Sequence, residues 1–114
     1  MNKKMLVAAG VIALALALPY ACKTTKSTAN NCSTVSAKYS TDIKPIIDAN
    51  CVGCHGVGSR KGDFTTYEGL KVVAGNGELK EHVLELKNMP PKGPLPEADQ
   101  QKISCWLSSG FQNN

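Results

Sequence analysis

The sequence is short of the side chains that usually fill a core. Aromatics make up 5 %, namely one tryptophan, two phenylalanines and three tyrosines. A chain of 114 residues has room for one small domain, and so short a chain builds only a modest core of its own. A large apolar cofactor would supply what the side chains do not. Arginine is limited to Arg60, and no basic run with interleaved aromatics occurs, which excludes nucleic acid as a partner. No apolar run long enough to span a membrane exists either. The longest, Leu6 to Leu18, is broken by Gly10 and is shorter than the ~20 residues a membrane helix needs. No segment alternates in the manner of a strand.

That short run has a use of its own. Asn2-Lys3-Lys4 precedes it and Pro19-Tyr20-Ala21-Cys22 follows, so residues 1–21 read as an export signal. Two cleavage modes compete. A general signal peptidase would cut after Ala17 or Ala21. Alternatively, the stretch Leu18 to Cys22 resembles a bacterial lipobox, although Pro19 stands where leucine is usual, and Cys22 then becomes the lipidated first residue of the mature chain. The lipoprotein form is the favoured reading. It predicts a periplasmic or cell-envelope protein held on a membrane surface by acyl chains. Cleavage before Cys22 also removes Lys3 and Lys4 and no acid, so the formal charge of +4 shrinks by two. Residues 22–38 follow as a tether, its Lys23 to Asn31 part free of large apolar residues, and residues 39–114 as the domain.

Within the domain the apolar spacing is helical. A first helix is predicted from Thr41 to Asn50, capped by Ser40 or Thr41, with Ile43, Ile46, Ile47 and Cys51 on one face. Thr65-Thr66 opens a second helix carrying Tyr67, Leu70 and Val73, and Gly75-Asn76-Gly77 stops it. A third, from Glu78 to Lys87, presents Leu79, Val83 and Leu86 together. Pro90, Pro91, Pro94 and Pro96 forbid a helix after Asn88. The last helix runs from Glu97 to Ser109 and ends at Gly110. The expected class is all-α, with about four helices.

Between the first two helices lies Cys51-Val52-Gly53-Cys54-His55, a C-x-x-C-H pentad and the attachment signature of c-type haem. Two cysteines at this spacing reach the two vinyl groups on one edge of a porphyrin, and the adjacent histidine comes under the iron. Gly53 and Gly56 would let the ring approach the backbone. A thioredoxin-like redox pair would want a βαβ setting, and a zinc site would want two further ligands at matching spacing. Neither is in the sequence, and export favours haem.

For the second axial position the candidate is Met89, the one methionine beyond the signal, in a stiff Met-Pro-Pro turn. A thioether opposite histidine raises the haem potential, whereas an ordinary core methionine would sit on a helix face. His82 is the rival, a bis-histidine alternative that otherwise serves as an inward, hydrogen-bonded residue.

CVGCH, the MPP turn and the closing QKISCWLSSG together resemble a class I mono-haem cytochrome c domain, from Tyr39 to the C-terminus. That resemblance implies a small cytochrome c-like fold around one covalent haem c, with Cys51 and Cys54 bound to it and iron held by His55 and Met89. It also implies that the helix entering the pentad crosses the last helix, with Trp106, Ile103 and Leu107 on its haem-facing stripe. The isoleucine-rich IKPII replaces the Gly and aromatic pair usual in the first helix. The implied activity is electron transfer.

Cys32 and Cys105 remain. In an exported protein they suggest a disulfide, and Cys105 falls about 160° round the helix from Ile103, away from that stripe. Two free thiols are the alternative. Taken together, the sequence reads as a one-electron shuttle rather than an enzyme, docking transiently on redox partner proteins. The alternative is a haem domain whose displaceable Met89 admits peroxide or a gas, or an accessory electron donor to one dedicated enzyme.

Overall fold

The computed structural model describes residues 31–114. The signal segment, the cleavage and lipidation positions and the tether up to Asn30 lie outside the described residues. Those described form an all-α unit without strands. A π-helical turn, Tyr39–Ile43, runs straight into α1, Lys44–Asn50. Helix α2 is Tyr67–Gly75. Helix α3, Glu78–Lys80, runs on into a second π-helical turn, Glu81–Glu85, and α4 is Glu97–Ser108. No helix among the described residues is long and apolar enough to cross a membrane.

The first helical segment starts ahead of Thr41, and neither Ser40 nor Thr41 caps it. Its free N–H groups are taken from elsewhere. The Asp42 carboxylate accepts from the Lys38 N–H at 3.0 Å and from the Ser36 hydroxyl at 2.7 Å. The N–H groups of Tyr39 and Ser40 go to Asn114, onto its side-chain oxygen at 3.0 Å and its backbone oxygen at 2.9 Å. The wide first turn, with Ile43 N–H bonded to the Lys38 carbonyl, comes just before Pro45. A proline ring crowds the carbonyl four residues back in a straight α-helix, and a widened turn relieves such strain.

Hydrogen bonds from Ser36 and the Lys38 N–H hold the Asp42 carboxyl below its ordinary range. A carboxylate so favoured in the folded state adds stability above its unfolded value near 3.8, and that contribution is lost as pH falls through its lower folded value. Asp42→Ala should therefore cost about 1 kcal/mol at neutral pH, as a lost cap does. Urea midpoints of wild type and variant should converge in acid. A gap that persists undiminished below the folded value would rule this role out.

In α2 the Thr66 hydroxyl caps the helix by accepting the Gly69 N–H at 3.2 Å. A Cβ on Gly69 would overlap the Asp63 carbonyl oxygen, so only glycine lets the loop before α2 lie against its first turn. Gly69→Ala is expected to destabilise by about 3 kcal/mol, since the obstacle is backbone. An unfolding midpoint within error of wild type would show that the loop gives way.

The third segment corrects the expected face. Leu79 and Val83 are buried, but Leu86 is 57 % exposed. In the π turn the Leu86 N–H bonds to the Glu81 carbonyl, five residues back, at 2.8 Å. The extra residue in that turn rotates Leu86 out of line. The expected single helix to Lys87 accordingly stops at Glu85.

Helix α4 packs on both π turns. Trp106 and Ile103 are fully buried with Ile43, Ile47 and Leu70. The Trp106 ring lies 6.0 Å from Tyr39 and 6.1 Å from Phe111, and its Nε1–H donates to the Gln112 carbonyl. The sequence rightly places the α4 end near Gly110, which sits at φ 88°. Cys32 and Cys105 are joined by a disulfide. Among the described residues, 32–38 are drawn onto the body by this bond, by Asp42 and by the packing of Ala37 on the core.

Candidate functional site

One cleft collects the donor atoms singled out above. It has a volume of about 310 Å³, and its lining includes Cys51, Cys54 and His55 from the pentad and Met89 from the proline-rich turn. Phe64, Val73, Leu79, Val83, Pro90 and Pro91 give it apolar walls. Cys54, Lys61 and Pro91 on its rim are exposed, so a flat occupant would keep one edge at the surface.

The pentad reaches the cleft because α1 ends in it. The Cys51 N–H closes α1 on the Ile47 carbonyl at 2.8 Å, and the chain then turns back, with the His55 N–H on the Cys51 carbonyl at 2.9 Å. Both thiols are free, in contrast to the paired Cys32 and Cys105. Burial pushes the Cys51 thiol up to about 11 from an ordinary 9.0, whereas Cys54 is exposed. A buried, protonated thiol is a slow nucleophile. In haem-free protein at mildly alkaline pH, iodoacetamide should modify Cys54 well before Cys51, as peptide mass mapping would report. Equal rates would refute the difference in burial.

His55 is oriented by three contacts. Its Nδ1–H donates to the Lys61 carbonyl at 3.0 Å, its carbonyl accepts the Phe64 N–H at 2.8 Å, and its ring stacks on Phe64 at 4.2 Å with 7° between planes. The Nδ1 bond fixes the tautomer and leaves Nε2 with its lone pair, which is how proteins prepare an imidazole for a metal. Gly62, at φ 99°, makes the turn from Lys61 to Phe64 possible, because a Cβ there would meet the Phe64 ring at 2.9 Å. Sequence reasoning missed both Phe64 and the Lys61 carbonyl. The available signal was Phe64 itself, a lone aromatic between the pentad and the next helix.

Gly53 has open space at its Cβ position, and at Gly56 a Cβ would meet the Val52 carbonyl at 3.0 Å, so the smallness of Gly56 also serves the chain's own turn. No α4 residue lines the cleft; Trp106, expected with Ile103 and Leu107 on a haem-facing stripe, is engaged by Tyr39, Phe111 and the Gln112 carbonyl.

The lining suits an iron porphyrin by its chemistry: two free thiols, a tautomer-fixed imidazole, a neutral thioether and apolar walls of porphyrin-compatible character. Among the described residues no group of three or more His, Cys, Asp or Glu side chains is close enough to hold a metal ion. His82 lines the same cleft, with its Nδ1 bonded to the Asn88 side-chain oxygen at 3.0 Å. No protein-family model matches the chain, and neither curated proteins nor solved structures yield a match.

Proposed function

We propose that this chain is a c-type cytochrome that carries single electrons between protein partners. The reading rests on one observation above the rest: Cys51, Cys54 and His55 of the pentad and Met89, 34 residues further on, share one apolar cleft. Cys51 and Cys54 would hold haem c by thioether bonds, while His55 and Met89 would supply the axial pair, within a cytochrome c-like arrangement of the four helices. When bound, the haem supplies a one-electron Fe(II)/Fe(III) couple.

The residues would divide the remaining work. The Lys61 carbonyl and Phe64 keep the His55 ring in one orientation and one tautomer. Val73, Leu79 and Val83 exclude water from one wall, which favours the neutral, reduced charge state. The Met89 thioether, a soft neutral donor, works in the same direction. Exposed Cys54 and Lys61 mark the rim where a partner would approach, and such carriers meet their partners over small, transient surfaces. The lining contains no arginine, which weighs against peroxide activation and for a carrier. Export and lipid anchoring at Cys22 belong to the same proposal. They would keep the carrier beside membrane-bound partners and raise the local encounter rate.

The deciding experiment is expression with haem-attachment machinery in an exporting host, followed by intact mass, a pyridine haemochrome spectrum and a redox titration. One haem mass, a c-type spectrum and a single one-electron wave are expected. A colourless protein with the mass of the bare polypeptide would end the proposal.

A further inference from the structure

The turn that presents Met89 is fastened to a single residue, His82. In a regular α-helix the His82 carbonyl would accept the Leu86 N–H. Here the π turn diverts that N–H to Glu81, and the His82 carbonyl accepts two others: Asn88 N–H at 3.1 Å and Met89 N–H at 3.2 Å. The His82 ring completes the fastening through Nδ1 and the Asn88 side-chain oxygen at 3.0 Å. Lys87, between the two partners, sits at φ 52°. That left-handed conformation is unfavourable for a lysine and persists only where the surroundings hold it. A π turn, a strained residue and three hydrogen bonds therefore converge on the segment that sets Met89.

The same fastening leaves His82 chemically ready. With Nδ1–H donated to Asn88, the bare lone pair is on Nε2, and His82 lines the cleft alongside Met89. Two neutral donors, a thioether and an imidazole, thus hang from one clasp.

Resting on the haem reading above, we infer that His82 and Asn88 position Met89 and that His82 is a stored axial ligand, taking the iron when the thioether leaves. The consequence is an exchange of the sixth ligand without unfolding of the helices. A His/His pair lies at lower potential than His/Met, so the exchanged form would be a poorer electron acceptor.

Spectroscopy of the full-length exported holoprotein tests this apart from any activity. Met89→Ala should lose the far-red charge-transfer band of a thioether on Fe(III), yet stay six-coordinate and low-spin, with the EPR signature of two axial nitrogens. Adding His82→Gln, or His82→Ala should the first variant fold poorly, should convert it to high-spin, and external imidazole should restore the low-spin spectrum. Asn88→Ala alone should weaken the thioether band and raise the two-nitrogen signal. A haem-bearing Met89→Ala protein that is high-spin overturns the inference and leaves the cytochrome reading intact. So does a low-spin spectrum unaffected by removing His82, or an unchanged thioether band in Asn88→Ala. Absence of covalent haem from every protein, wild type included, overturns both.

Discussion

Exported protein in which Cys51 and Cys54 are both alanine is expected to carry no covalent haem and to accumulate at a small fraction of the wild-type level. The second effect follows from the cleft walls. Cys51, Val73, Met89 and Pro90 line the cleft and are only part-buried, and apolar surface there that a haem would cover forgoes roughly 25 cal/mol for each Å² left unburied. An isosteric pair of serines should behave as alanine does, because what matters is the bond to the ring and not the shape of the turn. The single variants separate the two positions. Each should retain a weakly held, singly attached haem, recognisable by a haemochrome band displaced to the red. Intact mass in the presence of a strong acid wash reads all four proteins in one experiment. A double variant that keeps a haem mass would show that attachment does not run through these sulfurs.

Removing the disulfide is expected to have the largest effect on stability that does not involve the cleft. The bonded cysteines are 73 residues apart, and in the chain-entropy model a loop of that length contributes about 4 kcal/mol. For a domain of this size that corresponds to a melting temperature lower by roughly 16–32 °C. The double variant Cys32→Ser/Cys105→Ser should show it with the haem spectrum preserved, since neither residue lines the cleft. Cys105 is buried while Cys32 is only half-buried, so Cys105→Ser alone would add the cost of an enclosed hydroxyl. Cys105→Ala with Cys32→Ala separates the two contributions. A melting temperature unchanged by reduction would mean that the unfolded chain is already compact across this span.

Much of the helical layout could be read from local chemistry. Thr66, the proline run from Pro90 and Gly110 act within a turn of their own positions, and the helix ends fall beside them. The cleft donors were legible for a similar reason: a pentad with fixed spacing carries its own geometry. What stayed hidden depends on partners distant in sequence. Asn114 supplies acceptors for Tyr39 and Ser40, and nothing near Ser40 announces this. The widened turn at Glu81–Glu85 cannot be read from EHVLE, because its alternative, a plain α-turn, loses only when Asn88 and Met89 claim the His82 carbonyl. Leu86 was misplaced by that single register change. Trp106 lines no part of the cleft; its indole is engaged by the Gln112 carbonyl and by the rings of Tyr39 and Phe111, contacts that a helical wheel does not show.

The covalent link from Cys32 to Cys105 also decides how mechanical load would enter the molecule. Tension arriving along the backbone from before Cys32 meets a sulfur bridge into α4 first, so the weaker Asp42 and Asn114 contacts downstream are shielded from it. The force is delivered to a helix seated in the core and bypasses the stretch from Cys51 to Met89, whose alignment could therefore survive a pull that would otherwise unravel the domain from its leading end.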